Sequence, residues 1–130
     1  MNISLVILAA PYSTEGGYSA FNFARAALES GHSIYRLFFY RDGVHNATSL
    51  GVAPQDELDL PAAWRELIER YQLDAVVCIA AALKRGVLDA QEAHRYQRPS
   101  HNLGSGFDLS GLGQLLDATV HSDRVITFGG

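Results

Sequence analysis

Three stretches of this chain are close to continuously apolar, and segments with helical spacing separate them. They run from Ile3 to Ala9, from Ser33 to Tyr40 and from Leu73 to Ala80. A strand with one wet face alternates apolar and polar residues, so a run without alternation is covered on both faces. Such strands alternating with helices predict a parallel sheet with helices on both sides, a three-layer α/β/α fold. Arg124 to Phe128 closes the pattern as a further strand, and a short extended piece is expected around Phe107. With 130 residues and no repeat, low-complexity tract or linker, one domain covering residues 1–130 is expected.

The intervening segments carry helix punctuation. Ser19 reads as an N-cap, followed by Phe21, Phe23, Ala24, Ala27 and Leu28 at helical spacing, and Gly31 stands where a C′ glycine stops a helix. Asp59 and Pro61 open a second helix through Trp64, Leu67 and Ile68 to Tyr71. Asp89 to Tyr96 is expected as a short helix, followed by a polar stretch from Gln97 to Ser105. Ser110 is expected to cap a last helix carrying Leu112, Leu115, Leu116 and Ala118. Arg41 to Pro54 has no period and reads as a long loop. In open parallel sheets ligand chemistry collects beyond the carboxyl ends of the strands. That singles out Pro11 to Gly17, Arg41 to Ala47 and Ala81 to Gly86.

Several function classes are disfavoured at once. Ten Lys and Arg against fourteen Asp and Glu leave a net charge of −4, and the cations are scattered apart from Lys84-Arg85. Direct nucleic-acid binding, which draws most of its affinity from cationic contacts to phosphate, is not expected. No run approaches the roughly 18 apolar residues of a membrane span, and Met1-Asn2-Ile3 has no basic start for a signal peptide. A single cysteine excludes an internal disulfide and suits a reducing cytoplasm. His32, His45, His94, His101 and His121 show no close ligand pairing, so no metal is expected. No G-x-S-x-G elbow of a serine hydrolase is present. Charged residues make up 18%, below the usual share, which leaves part of the surface for partner subunits.

Cys78 lies near the end of the third apolar run, before Ala80-Ala81-Ala82-Leu83-Lys84-Arg85-Gly86. Cysteine is among the most buried residue types, so Val76-Val77-Cys78-Ile79 also reads as plain core. A functional role has its own argument. A free thiol with a pKa of about 8.5 is only a few per cent thiolate near neutral pH, and a nearby cation or helix N-terminus raises that fraction. Lys84 and Arg85 are the candidate cations, and the small alanines would leave the sulfur uncovered.

The residues around these positions resemble the DsrE/TusD family of sulfur-relay proteins. Phe38-Phe39-Tyr40-Arg41-Asp42-Gly43-Val44 with Asn46-Ala47 is similar to that family's second-strand segment. So is Val77 to Val87, with the cysteine at the matching place; Ser110-Gly111-Leu112-Gly113 and Asp123-Arg124-Val125 complete the likeness near the end. The resemblance spans essentially the whole chain and sits closer to DsrE in appearance. It implies a sulfurtransferase without cofactor, in which Cys78 takes sulfane sulfur from an upstream persulfide donor and passes it to a downstream carrier protein. It also implies two related small subunits, of the DsrF/DsrH or TusC/TusB type, in a dimer of heterotrimers. The pathway would be sulfur oxidation, or, for a TusD-type protein, synthesis of 2-thiouridine in transfer RNA.

Arg41, His45 and Asn46, with Asp42, are candidates for a polar wall that docks the partner, although an Asp-Gly turn with a solvated rim explains them equally well. Two other functions remain open. Tyr12 to Ser19 loosely resembles the flavin phosphate loop of flavodoxins, although Glu15 would repel a phosphate. A non-catalytic scaffold subunit would also use the aromatic surplus, with Phe38, Phe39, Tyr40 and Trp64 at an interface.

Overall fold

A computed structural model describes residues 1–129. Five strands form one sheet: β1 (Asn2–Ile7), β2 (Ser33–Phe39), β3 (Ala75–Cys78), β4 (Phe107–Ser110) and β5 (Arg124–Phe128). Their order is β4-β3-β2-β1-β5, and every pairing is parallel. The register between β1 and β2 slips by one residue after Ile3, leaving Tyr35 without a Cα partner on β1. Five α-helices connect the strands: α1 (Gly16–Glu29), α2 (Leu60–Tyr71), α3 (Ile79–Lys84), α4 (Ala90–Arg95) and α5 (Gly113–His121).

Alternating side chains of β2 show the two covered faces. Phe39 meets Trp64 of α2 edge to face at 5.3 Å and Phe107 of β4 at 5.4 Å, and Trp64 meets Phe21 of α1 at 5.2 Å. Trp64 is fully buried, so this aromatic cluster anchors α1 and α2 to one face. From the other face Arg36 reaches α5, donating to the Gln114 carbonyl and the Asp117 carboxylate at 2.9 Å each, and it also pairs with Asp74 at 2.7 Å. The three-layer α/β arrangement follows from these two sets of contacts.

Helix ends depart from the expected ones where the sheet or a close approach competes. Ser19 does not cap α1: its amide already bonds the Glu15 carbonyl at 2.8 Å, because the helix begins at Gly16. A methyl on Gly16 would strike the Gly129 carbonyl and Ala9, so glycine lets α1 start hard against the ends of β1 and β5. Ser110 is not a cap either. It pairs with Cys78 as the last residue of β4, and α5 starts at Gly113 with Leu112 in the cap position. The third strand stops at Cys78 instead of Ala80, since Ile79 to Lys84 folds as α3; alanine is the strongest helix former, and Ala81 and Ala82 bury themselves beneath the turn. Arg41 to Ala47, expected as loop, is a 3₁₀ helix. Asp59 and Asp89 cap α2 and α4 by accepting from the Ala62 and Glu92 amides, and Gly31 takes φ +89° after α1.

Candidate active site

Parallel pairing brings the carboxyl ends of β2, β3 and β4 together, and Cys78 is the last residue of the central one. Strand turns into helix with no loop between: Cys78 holds the N-cap position of α3 with extended backbone, φ −60° and ψ 116°. Its sulfur makes no cap hydrogen bond to the first turn of α3. The residue is only 3% exposed, yet it lines a cavity of about 430 Å³. Tyr40 and Arg41 from the end of β2, Ala80, Ala81, Lys84 and Arg85 from α3, and Gly111-Leu112 after β4 complete the wall. Cys78 is therefore at once a member of the buried core and a lining residue of the depression.

The two candidate cations have different situations. Arg85 donates from Nε to Asp42 Oδ1 at 2.8 Å and from a terminal nitrogen to the Ala81 carbonyl at 3.2 Å. That pair clamps the end of α3 to the 3₁₀ helix, and the Arg85 hydrogen bond holds the Asp42 carboxyl below the usual carboxylate range. Lys84, by contrast, lines the cavity, is exposed, and has no ion-pair partner among the described residues. Arg41 shares that wall and likewise has no carboxylate partner among the described residues.

The 3₁₀ helix divides the docking candidates. Arg41 is exposed on the cavity wall, in the left-handed region at φ +51°, with its guanidinium 5.9 Å from the Tyr40 ring centroid. His45 is partly exposed but does not line the cavity. Asn46 is fully buried and cannot meet a partner directly. Its amide nitrogen donates to the Ala9 carbonyl at 3.0 Å and the Gly43 carbonyl at 2.9 Å, tying the 3₁₀ helix to the segment after β1. Gly43 packs so closely on β1 that a methyl there would strike the Ile7 carbonyl. The residues Asn46 and Gly43 thus set where Arg41 and Asp42 stand. Sequence reasoning did not assign Tyr40, Gly111 and Leu112 to the wall; the signal was their place immediately after strands whose order was unknown.

A larger cavity, about 660 Å³, lies elsewhere, between the loop after β1 and the start of α2. Tyr12, Ser13, Thr14, Glu15, Tyr18 and Glu57 are among its lining residues, with no cysteine, lysine or histidine. Size alone does not make it the site, because the chain's one cysteine lines the smaller cavity.

Residues 1–128 match the DsrE/DsrF-like family. The chain belongs to that family. Across DsrE/DsrF-like proteins it is similar to the sulfurtransferase TusD homolog of Pseudomonas aeruginosa, with 57% identity over 130 residues covering 100% of this chain and 98% of that protein. The DsrE protein of Allochromatium vinosum is 47% identical over 129 residues, covering 99% of each. The E. coli ychN crystal structure superimposes with a TM-score of 0.76, covering 98% of this chain and 99% of that one; at 23% identity it shows the fold alone. No helix among the described residues is long and apolar enough to cross a membrane.

Proposed function

We propose that this DsrE/DsrF-like protein is a sulfurtransferase subunit of a cytoplasmic sulfur relay, carrying sulfane sulfur as a persulfide on Cys78. One observation carries the reading: the chain's only cysteine ends the central strand of the site, at the mouth of a helix, in a cavity shared with the unpaired Lys84. The kinship with proteins named as sulfurtransferases supports it.

In the loading step the Cys78 thiolate attacks the outer sulfur of a donor persulfide. A new S–S bond forms on Cys78, the donor's S–S bond breaks, and the donor leaves as a thiolate. Delivery is the same exchange in reverse sense: an acceptor thiolate attacks the outer sulfur of Cys78-SSH, and Cys78 leaves as thiolate. Neither step needs an external oxidant or reductant, because one persulfide is exchanged for another. Lys84, on the same cavity wall, is the candidate counter-charge for the sulfur in both steps. Arg85 acts through geometry, holding the Asp42 loop against α3. Arg41 on the wall, with His45 beside it on the same 3₁₀ helix, receives the partner; Asn46 contributes by fixing that helix.

Related small subunits of the DsrF/DsrH or TusC/TusB type complete the assembly as a dimer of heterotrimers. Exposed Leu112, Leu116 and Val120 along α5 support a covered surface there. Sulfur oxidation and transfer-RNA thiolation draw on the same exchange at Cys78, so the acceptor protein decides which pathway is served.

Intact-mass spectrometry of the assembled complex after exposure to a sulfane-sulfur source tests the reading. A reductant-sensitive gain of one sulfur atom that maps to Cys78 and is absent in Cys78→Ser is expected. No adduct on a folded, assembled complex would leave the scaffold role as the better account.

A further inference from the structure

A second depression begins where the Cys78 cavity ends. Lys84 lines both, and from it a groove of about 500 Å³ continues between α3 and the end of α4. Its apolar walls are Leu83, Leu88, Tyr96 and Pro99, and Arg98 stands with Lys84 as its second cation. Arg98 bonds only the Tyr96 carbonyl, at 2.9 Å, and like Lys84 has no carboxylate partner among the described residues. The neighbouring Arg85 and Arg95 are both paired, with Asp42 and Glu92. No Asp or Glu lines either depression, in a chain whose net charge is −4. Two cations without carboxylate partners among the described residues thus flank an apolar trough.

Burial of the thiol limits what can reach it. At 3% exposure Cys78 cannot meet a cysteine presented on a flat protein surface, so the partner's sulfur must arrive on a projecting segment. Lys84 lines both the Cys78 cavity and the groove, so a segment bound along the groove and reaching past Lys84 is within range of the thiol's cavity. Resting on the sulfur-relay reading above, we infer that the groove between α3 and α4 seats the relay partner's cysteine-bearing segment. That segment carries an apolar side chain for the trough and carboxylates for Lys84 and Arg98. Charge here governs which partner is accepted, since complementary rim charges act mainly on selectivity and encounter rate. The exchange itself remains the balanced thiolate–persulfide step at Cys78.

Two synthetic cysteine peptides, one with Glu and one with Lys flanking a leucine, test this on the full chain in its complex. Serine versions of both allow binding to be read by fluorescence anisotropy without any sulfur chemistry. The acidic serine peptide should bind at least about ten-fold more tightly than the basic one at low salt, and the preference should shrink as salt rises. Arg98→Glu should abolish the preference while leaving loading of Cys78 from inorganic polysulfide, and transfer from it to 2-mercaptoethanol, within about two-fold, since neither small molecule needs the groove. Tyr96→Ala should weaken both peptides alike. Equal binding of the two peptides, or a preference that survives Arg98→Glu, overturns the groove even if Cys78 loads normally. Failure of Cys78 to load, with selective binding intact, sinks the sulfur reading and keeps the groove as an acidic-peptide site.

Discussion

Lys84 and Arg85 are adjacent in sequence and carry the same charge, yet they stand in different surroundings. Arg85 is held by Asp42 and the Ala81 carbonyl, whereas Lys84 faces the Cys78 cavity unpaired. Lys84→Ala should therefore slow alkylation of Cys78 by roughly two- to five-fold near neutral pH, the size expected of an exposed charge of about 0.5–1 kcal/mol. Iodoacetamide labelling rates measured across pH would show it, and an unchanged rate would remove Lys84 from the chemistry. Arg85→Ala and Asp42→Ala should each produce the same smaller change, and the double variant no more than either alone, because both break one clamp. Gly43→Ala belongs with these as a change of position. Its methyl has no room beside the Ile7 carbonyl, and overpacking of that kind costs about 1–3 kcal/mol. Urea unfolding would read the loss, and reduced loading of Cys78 should accompany it as the 3₁₀ helix shifts.

At the scale of elements, α5 is the least securely buried helix, with Ala118 its only buried residue. Partly buried Leu115 packs it on the core, and polar contacts from β2 add to that hold. Asp117 accepts from the Tyr35 hydroxyl at 2.7 Å and from Arg36 at 2.9 Å, and His121 stacks on the Tyr35 ring. Those hydrogen bonds hold the Asp117 carboxyl below its ordinary range and push the Tyr35 phenol above its own. A depressed carboxyl contributes stability that is present above its unfolded pKa of about 4 and is lost as pH falls through the lower folded value. A raised phenol contributes stability that is complete below its unfolded pKa of about 10 and is lost as pH rises through the higher folded value. Melting temperature should thus decline at both extremes, and Asp117→Asn should lower the plateau while flattening both limbs. Calorimetry from pH 3 to pH 11 would test this; unchanged limbs in Asp117→Asn would assign the pH dependence to other groups. The α1–α2 side answers to a different force. Trp64→Ala should cost about 3–5 kcal/mol, since it empties the centre of the Phe21–Trp64–Phe39 cluster.

On the scale of the molecule, a line of apolar side chains on one helix faces solvent. Leu112, Leu116 and Val120 follow one another at intervals of four along α5, with Leu116 and Val120 67% and 71% exposed. Four-residue spacing puts them on one helix face, and Leu112 also lines the Cys78 cavity. An interface on α5 would therefore abut the site. Leu116→Glu should leave the chain folded but reduce assembly with the proposed related subunits, as read by light scattering of the co-expressed complex. Full assembly by this variant would move the interface elsewhere.

The sequence by itself determined the fold class. Unbroken apolar strands such as Ile3 to Ala9 can be satisfied only between two helical layers, and Asp59, Asp89 and Gly31 mark helix ends through bonds to nearby residues. It also singled out Cys78, with Lys84 and Arg85 close behind, because a lone thiol and the cations that follow it are local facts. The remaining features came from long-range packing. Ser110 became a strand residue and Ser19 an internal helix residue because the sheet and the close seat of Gly16 outcompete a local cap. Asn46 turned inward because its amide satisfies the Ala9 and Gly43 carbonyls, and Arg85 was taken by an aspartate 43 residues away. Those outcomes depend on which strand lies beside which, and spacing along the chain holds no record of that order.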